Sequence, residues 1–96
     1  MILNFDDHAT QDVFNGEETR EARRLPKDIW KVARRKLDML NAAHAILDLS
    51  VPPGNRLERL KGKLAEFHSI RINDQFRIVF EWKEGNAKDV RITDYH

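Results

Sequence analysis

The sequence contains no cysteine, and that absence excludes several kinds of site at once. Disulfide bonds, zinc–thiolate centres, iron–sulfur clusters and a cysteine nucleophile all need this side chain. Apolar runs are short as well, and none approaches the roughly 18 residues that a membrane-spanning helix requires. The opening stretch, residues 1–7, carries two acids and no basic residue, unlike a secretory signal peptide. We therefore expect a cytoplasmic protein that folds without covalent cross-links.

Linkers, repeats and low-complexity tracts are also missing from the 96 residues. A chain of this length has room for one hydrophobic core and not for two. Hydrophobic residues make up 41% and charged residues 34%, which is enough apolar material for a packed core and too much for a disordered chain. The sequence thus predicts a single domain over residues 1–96.

A formal net charge of +1 hides a strong segregation of charge along the chain. Residues 1–19 hold five acidic residues and no Lys or Arg, whereas residues 20–36 have a net charge of +6 and residues 56–77 of +3. Basic blocks of this kind are typical of proteins that bind a polyanion. On charge alone, a solvated helix face is an equally good interpretation.

Apolar residues recur at helical spacing over residues 27–48 and predict one long amphipathic helix there. The members of this stripe are Trp30, Ala33, Leu37, Leu40, His44 and Leu47. We interpret the histidine of the stripe as a core or boundary residue rather than a ligand. Before the helix, residues 2–5 are a short strand candidate, and Thr10 is a possible N-cap for a short helix that Gly16 ends.

Beyond the Pro-Pro-Gly-Asn turn at residues 52–55, the period of the apolar residues changes from about 3.6 to about 2. Alternating segments over residues 67–72, 76–82 and 89–96 predict three antiparallel strands joined by tight turns. Residues 2–5 are available as a fourth strand. Helices followed by hairpins indicate an α+β domain.

The alternation assigns the residues of these strands to two faces. One face is apolar and is expected to be covered by the long helix; it holds Ile70, Ile72, Phe76, Ile78, Phe80, Trp82, Val90 and Ile92. The other face has no apolar cover and receives Ser69, Arg71, Arg77, Val79, Arg91, Thr93 and Tyr95. Three arginines and a tyrosine from adjacent strands thus share one face. Because arginines are common on exposed strands, this arrangement is suggestive only.

Three short segments carry a family resemblance: Gly-Asn-Arg-Leu-Glu-Arg-Leu-Lys-Gly at 54–62, Ser-Ile-Arg-Ile-Asn-Asp-Gln-Phe-Arg-Ile at 69–78, and Asp-Tyr-His at 94–96. In their order, spacing and total chain length they resemble the HigB-type toxins of bacterial type II toxin–antitoxin systems. These toxins belong to the plasmid maintenance killer group of the RelE/ParE superfamily. The resemblance implies an α+β fold in which an antiparallel sheet of about four strands packs against N-terminal helices.

The resemblance also implies an activity, that of a ribosome-dependent endoribonuclease that cuts messenger RNA in the ribosomal A site. Matching the family's site residues by position gives Lys61, Arg71, Arg77, Asp94, Tyr95 and His96. Some relatives carry a histidine where this chain has Glu58, which leaves an auxiliary acid–base role at that position open.

Partners follow from the same resemblance: the ribosome with its mRNA, and a cognate HigA-like helix-turn-helix antitoxin. Operator DNA is expected to be bound only by the toxin–antitoxin complex, and no membrane is involved. The basic blocks are expected to contact RNA through Arg23, Arg24, Lys27, Lys31, Arg34, Arg35, Arg56, Arg59, Lys63 and Arg91.

The side chains themselves suit RNA cleavage through the 2′-hydroxyl. Arg71 and Arg77 can each form paired hydrogen bonds to phosphate oxygens and stabilise a pentacoordinate phosphate. His96 is the residue of the set that titrates near neutral pH, and it can protonate the 5′-oxygen leaving group. Tyr95 can stack on a base or orient the 2′-oxygen, and Lys61 can stabilise charge or act as a base. With no cysteine and no dense acidic cluster, we expect neither a metal nor another cofactor.

Two other functions remain open. A ParE-like toxin inhibits DNA gyrase by protein contact and cuts nothing, but such toxins lack the Asp-Tyr-His cluster. A non-catalytic module that binds RNA or the ribosome would keep the basic blocks and would tolerate Tyr95→Ala and His96→Ala.

Overall fold

The computed structural model describes residues 1–62 and 66–95. Helix α1 (His8–Asn15) and helix α2 (Trp30–Ala42) precede the strands β1 (Glu58–Arg59), β2 (Phe67–Arg71), β3 (Phe76–Lys83) and β4 (Asn86–Asp94). The strands form one antiparallel sheet in the order β1-β2-β3-β4, so the predicted α+β class is confirmed. Short 3₁₀ helices lie at Ala22–Arg24, Lys27–Ile29, Ile46–Ser50 and Pro53–Asn55. In the described ranges no helix combines the length and the apolarity needed to cross a bilayer.

Helix α1 begins earlier than predicted. Its N-cap is Asp7, whose Oδ1 accepts a hydrogen bond from the backbone N–H of Thr10 at 2.8 Å. Thr10 is therefore inside the helix and not its N-cap. It is fully buried, and its Oγ1 accepts the backbone N–H of Ile92 at 2.9 Å, which ties α1 to β4. Gly16 ends the helix as predicted, with the left-handed φ of 74° that glycine tolerates best.

Helix α2 ends six residues earlier than predicted, at Ala42. The Oδ2 atom of Asp48 accepts the backbone N–H groups of His44 and Ala45, both at 3.0 Å, and starts a separate 3₁₀ helix over Ile46–Ser50. A local side-chain cap thus competes successfully with continuation of the α-helix. His44 is exposed, so its predicted place in the core or at its boundary is wrong.

The opening segment pairs with β4, as isolated parallel bridges rather than as a regular strand. Ile2 bridges to Ala87 and Phe5 to Val90. Two reciprocal bonds between Asn4 and Asp89 lie between these bridges. The fourth strand of the sheet is instead β1, which is two residues long and too short to show any alternation in the sequence.

The residues alternate between the two faces of the sheet as predicted, but Ser69 and Val79 are buried, so the expectation that the second face has no cover is wrong for them. Ile70, Ile78 and Phe80 are fully buried on the face that α2 covers, where they pack with its Leu37 and Leu40. Burial of each such side chain contributes about 1.5–3 kcal/mol. The predicted turn between β3 and β4 is a two-residue connection whose residues both have positive φ, as tight hairpins require.

Candidate functional site

A polar cleft of about 260 Å³ opens on the sheet face that α2 does not cover. It lies where β2 and β3 meet their connecting turn, next to the segment before β1 and to the end of β4. Its lining includes three guanidinium groups, two carboxylates and an aromatic ring. The lining residues are Arg56, Glu58, Arg71, Asn73, Asp74, Arg77 and Tyr95. Such a lining suits a small anionic group better than an apolar ligand.

Arg77 is the buried cation of this cleft, with 8% of its surface exposed. Its Nε donates to Ser69 Oγ at 2.9 Å, and its Nη2 donates to the backbone carbonyl of Arg56 at 2.6 Å. Its Nη1 lies 3.9 Å from Glu58 Oε1. Two of the three guanidinium nitrogens are therefore held by the protein before any ligand binds. A buried charge that is fixed in this way is ready to stabilise negative charge without reorganising.

The carbonyl that holds Arg77 belongs to a residue with unusual backbone geometry. Arg56 has φ 45° and ψ 56°, the left-handed region that glycine favours. For a residue with a Cβ this conformation costs on the order of 1 kcal/mol or more. The preceding 3₁₀ turn imposes it, with the N–H of Arg56 bonded to the carbonyl of Pro53 at 3.1 Å.

Arg71 is a more exposed neighbour of Arg77. The two arginines are directly opposite each other in the β2–β3 register. Like charges at opposite positions repel, and an anion bound between them relieves that repulsion. The Nη2 atom of Arg71 forms an ion pair with Asp74 in the turn between these strands. Because Asp74 is almost fully exposed, this pair is weak enough for a phosphate to displace it.

The end of the described chain reaches the same cleft. The backbone N–H of Tyr95 donates to the carbonyl of Gln75 at 2.7 Å, and the side chain of Gln75 donates to Asp94 at 2.9 Å. The Tyr95 ring lies 5.6 Å from the guanidinium carbon of Arg77 and is half exposed. The structure thus brings Arg71, Arg77 and Tyr95 together, with Asp94 beside them.

The structure does not bring Lys61 into this cleft. Lys61 is exposed and is not among the described residues that line the cleft. His96 lies outside the described residues, as does Lys63. Glu58, where some relatives carry histidine, lines the cleft and faces Arg77. Among residues 1–62 and 66–95, no group of three or more His, Cys, Asp or Glu is placed to hold a metal ion.

Four of the basic residues predicted to contact RNA lie on one side of α2 and of the 3₁₀ helix before it, which we call the basic helix face: Lys27, Lys31, Arg34 and Arg35. All four are exposed and line a groove of about 450 Å³ between α1 and α2. Lys27 is 2.5 Å from Glu18 and lies 5.8 Å from the Trp30 ring centre. Its hydrogen bond and charge lower the pKa of Glu18.

The remaining predicted contacts are dispersed. Arg23 and Arg24 are exposed in the 3₁₀ helix before α2, and Arg59 is exposed on β1. Arg91 is bonded to Asp6 at 3.3 Å and lies outside the cleft. Arg56, predicted as an RNA contact, lines the cleft itself.

Sequence reasoning missed the buried polar residues behind the cleft. Lys36 is only 7% exposed and its Nζ donates to Asn55 Oδ1, while Asn55 and Ser69 are fully buried. Burial lowers the pKa of Lys36, and the charges of Arg35 and Arg71 lower it further. One signal was available: Lys36 falls on the apolar side of α2, where a charge needs a partner.

Comparison with known proteins identifies the family. A family model described as a RelE-like toxin of the type II toxin–antitoxin system HigB matches residues 3–96. Toxin HigB-1 of Vibrio cholerae is 41% identical over 87 residues, which are 91% of this chain and 90% of that protein. An uncharacterized protein of Haemophilus influenzae is 37% identical over 67 residues, which are 70% of this chain and 66% of that one. The chain therefore belongs to the HigB-like family of RelE-like toxins of type II toxin–antitoxin systems.

Proposed function

We propose that this toxin is a ribosome-dependent endoribonuclease that cuts mRNA in the ribosomal A site and so inhibits translation and growth. The reaction is attack of a 2′-hydroxyl on the adjacent phosphate, with no metal required. The observation that supports this most directly is the buried guanidinium of Arg77, fixed by Ser69 and by the Arg56 carbonyl at the wall of a solvent-open cleft.

Arg77 and Arg71 have unequal roles in this proposal. Both can bind the non-bridging oxygens of the scissile phosphate, whose charge grows in the transition state. Arg77 acts from a buried position, where an electrostatic interaction is screened less than in water. Arg71 exchanges its surface ion pair with Asp74 for the phosphate. We therefore assign most of the charge stabilisation to Arg77.

Tyr95 supplies a surface for a nucleotide base. Its ring is half exposed at the cleft and is held next to the Arg77 guanidinium. A base that stacks on an aromatic ring gains about 1–3 kcal/mol, largely independent of sequence. Stacking there would bring the adjacent phosphate towards the two arginines.

Proton transfer and its support are assigned to the end of the chain and to Lys61. His96 donates a proton to the 5′-oxygen, Asp94 orients the terminal segment through Gln75, and Lys61 stabilises charge or acts as a base. Glu58 offers a further carboxylate in the cleft, within reach of Arg77. The assignments of Lys61, Asp94 and His96 rest on the family resemblance.

Binding to the ribosome is assigned to the exposed basic residues, with the basic helix face as the largest group. Exposed Lys and Arg that neutralise RNA phosphates give affinities that fall steeply with salt. A toxin of a type II system implies an antitoxin as its partner. We infer that this antitoxin is a helix-turn-helix protein, that only the complex binds operator DNA, and that both proteins act in the cytoplasm.

The test is to map mRNA 5′ ends after adding the purified protein to translating ribosomes. We expect cuts in the A-site codon, and none in the same mRNA without ribosomes. Deletion of His96 and Tyr95→Ala should each reduce cutting at least about tenfold, because each removes a group from the reacting nucleotides. The control is Lys83→Ala, an exposed residue far along β3 from the cleft.

Each alternative function predicts a different result when ribosome binding and gyrase supercoiling are measured beside mRNA cleavage. Ribosome binding that persists with no cutting would indicate a non-catalytic module. Loss of gyrase supercoiling activity with intact mRNA would indicate a ParE-like inhibitor.

A further inference from the structure

A buried polar connection joins helix α2 to the back of the cleft. The Nζ atom of Lys36 donates to the side-chain oxygen of Asn55, and both residues are buried. A buried ammonium loses its hydration, and an apolar residue of similar length would avoid that penalty. Packing alone therefore does not explain a lysine at this position, which indicates a further role for its bond to Asn55.

Asn55 in turn holds the loop that precedes β1. Its side-chain amide donates to the carbonyls of Leu49 at 3.1 Å and Val51 at 3.4 Å, and its backbone N–H donates to the carbonyl of Pro52 at 2.9 Å. The buried side chain thus binds two carbonyl groups of the loop. With its oxygen bonded to Lys36, the whole loop is anchored to α2.

The next residue along the chain forms the wall of the cleft. Arg56 follows Asn55 directly, and its carbonyl, directed by the left-handed backbone, accepts Nη2 of Arg77 at 2.6 Å. The contacts therefore run from Lys36 through Asn55 and one peptide unit to Arg77. Neither Lys36 nor Asn55 lines the cleft. Lys36 and Arg71 also interact through their charges, but the hydrogen-bonded path from Lys36 and Asn55 to the cleft runs through the Arg56 carbonyl.

We propose that Lys36 and Asn55 are positioning residues, a role that rests on the proposed nuclease activity, and that they fix the orientation of the Arg77 guanidinium. Loss of the Lys36–Asn55 bond releases the loop and moves the Arg56 carbonyl. Arg77 then keeps its charge, its bonds to Ser69 and its contact with Glu58, but loses the short bond from Nη2 to the Arg56 carbonyl. Errors of about 1 Å in the placement of such a group can reduce a rate a hundredfold.

The first experiment follows the Arg77 side chain by NMR and needs no catalysis. In the ¹⁵N-labelled full chain, Lys36→Met and Asn55→Ala should shift the Arg77 Nη–H signals, whose bond to the Arg56 carbonyl is disturbed, and speed their hydrogen exchange about tenfold. The Nε–H of Arg91, bonded to Thr93 at 3.3 Å, reports on a site outside this path and should not change. Lys83→Met is the matched control, the same substitution at an exposed lysine. An unchanged Arg77 signal in folded Lys36→Met protein would overturn the proposal.

The second experiment measures the rate of A-site cleavage. Lys36→Met should lower kcat about tenfold and leave KM nearly unchanged, because ribosome binding does not use Lys36. In combination with Arg77→Lys it should add little further loss, since both changes disturb the same group. If the double variant instead loses rate by the product of the two single effects, Lys36 does not act through Arg77. If Lys36→Met fails to fold, Lys36→Gln takes its place in both experiments, because its polar side chain is uncharged and one bond too short to hold Asn55 in the same way.

The two proposals fail in different ways. If the wild-type chain cuts no mRNA, the proposed nuclease function is wrong, while the Arg77 NMR signal still tests the positioning role. A wild-type chain that cuts, with Lys36 variants equal to it in both signal and rate, removes the positioning role and leaves the nuclease function intact.

Discussion

The cleft and the basic helix face carry the same kind of charge in opposite physical settings. In the cleft, Arg77 is buried and two of its nitrogens are already hydrogen-bonded. On the basic helix face, Lys31 and Arg35 are exposed to solvent. Exposed charges are screened beyond about 8 Å at physiological salt, and buried ones far less.

The difference separates two tasks that net charge alone cannot distinguish. A flexible, hydrated cation attracts a polyanion from a distance and accepts many geometries. A fixed, partly dehydrated guanidinium stabilises charge at one place. We therefore propose that the helix face serves association and the cleft serves chemistry, and each proposal can be tested separately.

Arg77→Ala should have the largest effect. We expect a 10²–10³-fold loss of single-turnover cleavage at saturating ribosome concentration, the range found for removal of a fixed donor to a developing anion. Arg77→Lys should restore little, because an ammonium cannot bond Ser69 and the Arg56 carbonyl in the same fork. Recovery of most of the rate in Arg77→Lys would mean that charge suffices, and would remove the distinction between cleft and helix face.

The double variant Lys31→Gln/Arg35→Gln should act on association alone. We expect the slope of log affinity for ribosomes against log salt to fall by about 1.5, since each lost phosphate contact contributes about 0.7–0.9. The single-turnover rate at saturation should stay unchanged. Arg34 is left in place because its guanidinium packs over Gly16.

Lys83→Gln/Lys88→Gln removes the same charge elsewhere and is the control for this measurement. An equal drop in slope for both double variants would mean that only net charge matters and that the basic helix face is not a specific surface.

The smallest expected effect is on protein stability, and it tests the burial of His68 without any ligand. Burial lowers the pKa of His68, and the charge of Arg59 across the β1–β2 pair lowers it further. Below the usual histidine pKa of about 6.5, the unfolded chain takes up a proton that the folded chain resists. The free energy of unfolding should therefore fall as the pH drops from 7.5 towards 5.

Denaturation of wild type and His68→Gln at both pH values checks this prediction. The variant should lose less stability on acidification than the wild type. The same pH dependence in wild type and His68→Gln would show that the effect arises elsewhere.

Much of the fold could be predicted because strand alternation is a strong signal. A period of 2 placed Arg71 and Arg77 on one face, and the register puts them directly opposite each other. The end of α2 could not be predicted from the apolar stripe, since one carboxylate, that of Asp48, decides it by capping. The strand β1 is defined only by its partner β2.

The charged residues of the site could be predicted from the sequence, but the groups that hold them in place could not. The sequence motifs and the alternation of the strands identified Arg77. The partners that fix it are a serine on the adjacent strand β2 and a main-chain carbonyl. A carbonyl has no signature in the sequence, and neither does the left-handed backbone of Arg56. The burial of Lys36 was readable in principle, from a charge on the apolar side of a helix.

The pairing of the opening segment with β4 has a consequence for biosynthesis. Asn4 and Asp89 are 85 positions apart and bonded in both directions. Because translation proceeds from the N-terminus, this junction cannot close until residue 89 has left the ribosome. Contacts between such distant positions also form slowly. The cleft, which needs Tyr95 as well, can therefore form only after the opening segment, β4 and residue 95 have all left the ribosome.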